Sequence, residues 1–395
     1  MKRTILSILL ALTLLLTMAI PAVAAETKPA YRTGYYYENL TTEGKEAYRA
    51  LCEAITEPEM EFPDRIVVAD AITDSELEDV AQAVCWDNPE FFMINYYNTY
   101  LAEPFGKGRT IVPSWTSTKE EYLKDLQTMR TAAASYLKGA PKKGSDYEKE
   151  LYIHDAIIRD ASYPDTDTQY TDSSSIEGDY YYQTAFSIFK DHMGDCEAYS
   201  LAASYLLTEL GVKCYPVAGI GSSDGGQINA GNHAWNVVYL NGQPYVTDFL
   251  WDEVSSDDKS IYSKDAVHIF FNLPISQSGL THWNEHYVDT YRANTSTQSY
   301  YQRTGSYYSS WKDARAALPK LTASSWKHGR HVVEFQFTND AAYKQALKEL
   351  FDKEKMGVVI QEANRQISGK KISAGNYSYG KTDWNRVIVV KLVEE

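Results

Sequence analysis

The chain is poor in cysteine, with four among 395 residues, and poor in positive charge, with 38 Lys and Arg against 53 Asp and Glu. After its first twenty residues it also lacks any long apolar run. Each scarcity excludes something. A net charge of −15 repels nucleic acid and anionic lipid, so neither is expected as a partner. Without a second apolar stretch, no membrane insertion is expected once a leader is removed. No internal repeat, glycine-rich phosphate loop or calcium-loop pattern is visible, and no cofactor is expected.

What is present begins with a leader. Lys2 and Arg3 precede an apolar run from Ile5 to Ile20, and Ala22-Val23-Ala24 follows as a small-residue cleavage site. This reads as a secretory signal peptide over 1–24. The run is shorter than a spanning helix and stops at Pro21, so the mature chain is expected to be secreted or loosely associated with the cell surface. In an oxidising compartment Cys52 and Cys85 are either a disulfide or two buried thiols. Cys214, in an apolar run, reads as a core thiol. The 32 tyrosines read as structural, packing rings while keeping a wet hydroxyl.

The length suggests two or three domains, here 25–140, 141–293 and 321–395, with a connector at 294–320. The first is α-rich: Glu43 to Thr56 has helical spacing, Asp74-Ser75-Glu76 opens a second helix, and Ser117 with Glu120 forms a capping box. Phe91 to Ile94 and Thr110 to Pro113 read as strands, and Gly139 to Gly144 as a linker. The last segment alternates strand and helix as a small α+β module. His154 lies on the apolar stripe of a helix from Tyr147 to Asp160 and reads as a packed or surface residue.

Chemistry concentrates between these regions. Asp195 is a good N-cap, which places Cys196 in the first turn of a helix ended by Gly211. A thiol there meets the positive end of the helix dipole, which favours thiolate, although an ordinary buried cysteine fits the segment equally well. Asn232 to Leu240 alternates, and Asn241-Gly242 is a two-residue hairpin turn into Gln243 to Asp248. That register sets Trp235 opposite Asp248 with His233 as a diagonal neighbour on the same face, unless Pro244 introduces a bulge. An imidazole held by a carboxylate is what a general base needs.

Four stretches, Thr184-Ala185-Phe186, Gly194-Asp195-Cys196-Glu197-Ala198-Tyr199, Asn232-His233-Ala234-Trp235-Asn236 and Asp248-Phe249-Leu250-Trp251-Asp252, together resemble the transglutaminase-like superfamily over about residues 147 to 255. Asp87 to Phe91 resembles the N-terminal region of secreted bacterial members. The resemblance implies an α+β fold with a papain-like core, in which a cysteine at a helix N-terminus packs against an antiparallel sheet. It implies Cys196 as nucleophile, His233 as general base and acid, and Asp248 as the group that orients His233. The Cys196 N–H would serve an oxyanion hole, with Gln183 as a candidate side-chain donor, while Trp235 and Trp251 would wall the site. Ala198 and Leu250 depart from the residues frequent in the family and would narrow the pocket.

The function implied is acyl transfer on peptide or side-chain amides of a protein, peptide or cell-wall peptide substrate, with hydrolysis favoured over cross-linking. The competing reading is a non-catalytic extracellular scaffold on the same fold. The segment His282-Trp283-Asn284-Glu285-His286 fits a short zinc-hydrolase pattern, but that pattern needs a helix where loop residues precede it, so no metal is assigned.

Overall fold

The computed structural model describes residues 31–57, 61–68, 71–102, 108–164, 180–226, 230–253, 265–283 and 295–395. The leader at 1–24 lies outside the described residues. Among the described residues, no helix is long and apolar enough to cross a membrane.

The N-terminal helices are α1 (Tyr35–Asn39), α2 (Thr42–Thr56), α3 (Asp74–Asp87) and α4 (Lys119–Lys138). Their starts are chemically marked. Thr73 caps α3 and Thr118 caps α4, each accepting from the backbone of a glutamate three residues on, whose carboxylate reaches back. The α4 box sits one residue beyond the expected Ser117–Glu120 pair, and α3 is capped by Thr73, one residue before the expected Asp74, because in each it is the threonine hydroxyl that meets the third N–H. Between the helices, β1 (Ile66–Val68), β2 (Tyr100–Ala102) and β3 (Arg109–Val112) form an antiparallel sheet in the order β1-β3-β2. Phe91 to Ile94, expected as a strand, is a turn: Phe91 N–H bonds Asn88 O at 2.8 Å, and only Ile94 bridges, to Trp115. Phe91, Met93 and Ile94 are all buried, so this apolar run is a core plug without strand alternation.

The central sheet positions the chemistry. Its strands β4 (Cys214–Gly221), β5 (Gly231–Leu240), β6 (Gln243–Thr247) and β7 (His282–Trp283) are ordered β6-β5-β4-β7 and antiparallel. Helices α5 (Asp146–Asp160) and α6 (Ala185–Asp191) flank α7 (Cys196–Glu209), which lies on β4 and β5. Helix α7 is buried from Glu197 to Leu207. Helices α4 and α5, on either side of the expected linker, both touch α7, and one apolar core runs from Tyr36 through Tyr199 to Phe271. A short helix, α8 (Ile275–Ser278), leads into β7.

A second core gathers residues from Tyr308 to Leu392. It lies between α10 (Trp311–Lys327), α11 (Asp340–Leu347) and α12 (Met356–Asn364) and a sheet of β10 (Ile372–Thr382), β11 (Val387–Glu394), β9 (Val332–Phe337) and β8 (Tyr307–Tyr308). The stretch read as a connector therefore has structure of its own: α9 (Tyr300–Thr304), β8, and most of α10, which packs on α12. Its Tyr and Ser content hid a parallel β8–β9 pair. The architecture is mixed α+β, as the sequence implied.

All four cysteines are free thiols, so Cys52 and Cys85 take the buried-thiol alternative.

Candidate active site

Helix α7 brings Cys196 to its tip because Asp195 caps it, accepting from Glu197 N–H at 3.0 Å and Ala198 N–H at 3.2 Å. Gly194 is required before it: a Cβ there would lie 2.5 Å from the Ala198 Cβ. Ala198 is fully buried against that glycine, so its departure from the family pattern is absorbed in packing and does not reach a pocket.

The hairpin turn has Asn241 at φ 52° and Gly242 at φ 75°, the left-handed pair that a two-residue primed turn needs. Pairing runs Leu240 with Gln243, Tyr239 with Pro244, and Asn236 with Thr247, so Pro244 introduces no bulge. The next pair on this register is Trp235 with Asp248, and His233 Nε2 reaches Asp248 Oδ2 at 2.5 Å. Asp248 is held from several sides: Oδ1 accepts from Trp251 N–H at 2.9 Å, and its own N–H bonds Phe270 O at 3.1 Å. Thr247 beside it is tied to the buried Glu150 of α5 at 2.9 Å, and Glu150 also accepts from Asn272 at 2.8 Å.

Trp251 stacks on His233 with ring centroids 4.0 Å apart and planes 9° from parallel. Gly221 on β4 makes room for this pair, since a Cβ there would fall 2.8 Å from Trp251 and 3.0 Å from His233. Trp235 is fully buried beside His282, at a centroid distance of 4.8 Å, and backs the site from inside the core. Gln183 is half-buried on the turn before α6, and this turn abuts the α7 tip through Asp195 N–H to Tyr182 O at 2.9 Å.

The backbone N–H of Ala234, the residue after His233 on β5, is near enough to Cys196 to favour its charged form. The helix tip and the histidine strand therefore converge. Burial and the Asp195 carboxylate push the Cys196 thiol well above its ordinary range, and the Ala234 N–H offsets this only in part. The dipole argument from sequence is thus outweighed, and the resting cysteine is a thiol. Asp195 is itself pushed up to about 6 by burial. Burial also acts upward on Asp248, but His233 and His282 outweigh it and hold the carboxyl well below the usual range.

Several contributors carried no sequence signal. Glu197, next to the cysteine, is buried and accepts from Trp86 Nε1 at 2.8 Å, Tyr96 OH at 2.7 Å and Tyr97 OH at 3.1 Å, all from the N-terminal region. Burial and the Asp195 charge push it up to about 7. His154 lies in a second network, where Nε2 meets Asp252 at 3.1 Å, Asp252 receives Phe270 N–H at 2.9 Å, and His268 bridges Asp155 and Glu334 at 2.9 Å each. Glu334 belongs to β9, so this network ties the aspartate segment to the C-terminal module. His282 reaches Asp248 Oδ2 at 3.1 Å from a strand, not a helix, while Asn284, Glu285 and His286 of the zinc-like pattern lie outside the described residues.

Among the described residues, two groups have potential metal-ligand atoms within 4.8 Å of one another, His154/Asp155/His268 and His233/Asp248/His282. In both, hydrogen bonds between imidazole and carboxylate account for the spacing.

No curated protein matches the chain. A solved crystal structure of a TGase matches over 47% of this chain at 16% identity and a TM-score of 0.27; the chain spans 50% of that structure's length. Residues 133–249 match the family model of the transglutaminase-like superfamily, a span that contains Cys196, His233 and Asp248. Residues 133–249 are thus similar to the core of the transglutaminase-like superfamily.

Proposed function

We propose that the protein is a secreted or surface-associated cysteine-dependent acyl-transfer enzyme that acts on peptide or side-chain amide bonds, with hydrolysis its main outcome. The observation that carries this reading is the 2.5 Å contact of His233 Nε2 with Asp248, on the strand whose next backbone N–H, that of Ala234, favours the charged form of Cys196. With Nε2 engaged by the carboxylate, Nδ1 is the nitrogen left to exchange a proton with the thiol.

In this mechanism His233 takes the Cys196 proton at Nδ1 as the sulfur adds to the amide carbonyl. Asp248 stays ionised and stabilises the imidazolium. The oxyanion is bound by the Cys196 N–H with Gln183 as the candidate second donor. The imidazolium then protonates the leaving amine, and a thioester remains on Cys196. Water, deprotonated by His233, releases the acid; a lysine amine in its place would give cross-linking. Nothing in the sequence marks a dedicated amine site, which supports hydrolysis. Trp251, stacked on His233, fits a wall of the site, and protein or cell-wall peptides are the proposed substrates.

A second reading, a non-catalytic scaffold, draws on the thiol being pushed up by burial. One comparison separates the two. Wild type and Cys196→Ala are incubated with a protein mixture and a labelled primary amine, and cleavage and amine incorporation are read by mass spectrometry. Cleavage by wild type alone supports the hydrolase, incorporation alone a transferase, and identical patterns the scaffold.

A further inference from the structure

One carboxylate oxygen in the site serves two imidazoles. Asp248 Oδ2 is 2.5 Å from His233 Nε2 and 3.1 Å from His282 Nε2. The topology makes this deliberate: along one face of β4, Gly219 pairs with His233 of β5 and Gly221 pairs with His282 of β7, so the two rings approach Asp248 from opposite sides of a strand that offers only glycine there.

We propose that His282 is a positioning residue for the acyl-transfer site, a neutral donor that fixes the Asp248 carboxylate and divides its charge between two rings. The assignment rests on the Cys196–His233–Asp248 reading above. Its tautomer follows from its neighbours. A ring nitrogen 3.1 Å from a carboxylate oxygen carries its proton there, so Nε2–H donates to Asp248. Nδ1 then accepts from the Thr281 hydroxyl at 2.7 Å, a closer partner for that proton than Ser278 O at 3.3 Å. His282 is buried, and burial, only partly countered by Asp248, lowers its tendency to charge. A cation at this position would compete with the imidazolium that forms on His233; a neutral donor does not.

Two consequences follow. With Trp251 N–H on Oδ1 and His282 on Oδ2, the carboxylate cannot rotate away from His233. Sharing Oδ2 also divides the charge of one carboxylate between the two rings. The charged and titratable groups around this trio are Asp248 and His282 themselves, with Asp195 and Cys196 from the α7 tip.

The test is hydrolysis of p-nitrophenyl acetate from pH 5 to 10 by the full chain and its variants. His282→Ala is expected to lower kcat about 10- to 100-fold with KM nearly unchanged, and to move the acidic limb up by half a pH unit or more. His282→Gln, which keeps a donor near the Nε2 position, is expected to recover to within about threefold of wild type. Should His282→Ala fail to fold, Thr281→Val decides, since it removes the tautomer-fixing hydroxyl and is expected to move the same limb. A wild-type kcat and limb in His282→Ala, or a wild-type limb in Thr281→Val, overturns the role of His282 while leaving the Cys196 chemistry standing. Equal hydrolysis by wild type and Cys196→Ala overturns the proposed function itself.

Discussion

His154 Nε2 and Asp252 Oδ2 meet at 3.1 Å with neither side chain exposed to solvent. The other ring nitrogen faces Asp155 at 3.5 Å, so the ring donates on both sides only as an imidazolium. Burial pushes His154 down, and Asp155 and Asp252 outweigh it, leaving the group at about 9. A histidine raised above its ordinary 6.5 adds stability that is complete below pH 6.5 and lost as pH rises through about 9. Urea unfolding from pH 6 to 10 should show a decline of up to about 3 kcal/mol across that window, and His154→Gln should remove it. A wild-type profile as flat as the variant's would refute the charged state.

Gly221→Ala places a methyl 2.8 Å from the Trp251 ring and 3.0 Å from His233. Overpacking of this kind costs about 1–3 kcal/mol. The expected result is a folded protein, by circular dichroism, whose Cys196-dependent turnover falls at least about tenfold because His233 is tilted off Asp248. Unchanged turnover would show that the Trp251–His233 stack tolerates the shift.

Gly194→Ala brings two methyl groups to within 2.5 Å, since Ala198 already occupies the space. A short side chain on a helix cannot swing aside. The single variant should lose about 1–3 kcal/mol in denaturant unfolding, and adding Ala198→Gly should restore most of it. Additive losses in this double-mutant cycle would contradict the contact.

Tyr96→Phe withdraws the shortest of the three donors to Glu197, 2.7 Å away. A buried carboxyl left short of a partner costs about 1–3 kcal/mol. The loss should shrink below pH 7, where Glu197, pushed up to about 7 by burial, is protonated. Parallel unfolding curves at pH 5.5 and 8.5 measure the difference; equal losses at both would place Tyr96 outside the network.

Legibility from sequence followed the range of each signal. Asn241-Gly242 with alternating neighbours sufficed to set the register that pairs Asn236 with Thr247 and brings His233 to Asp248, because hairpin register is local. The α7 cap at Asp195 was equally local. Strands of three residues, such as Ile66–Val68, are too short to show alternation. No role for Glu150 or Glu197 was read from the sequence; only the fold reveals that Thr247, Asn272, Trp86 and two tyrosines are spent on them. His282 joins Asp248 across 34 residues that carry no periodic pattern, so its one signal was a zinc-like spelling whose last three residues lie outside the described ones.

The turn at Asn241 and Gly242 lies far from the sulfur, at the opposite end of β5 from His233. Yet the 15-residue step from His233 to Asp248 holds a two-residue bend, and side chains on a strand change face at every step. Loop length at that bend is therefore a tuning parameter of the chemistry. Lengthening it by one residue would aim Asp248 away from the imidazole while every reactive group kept its identity.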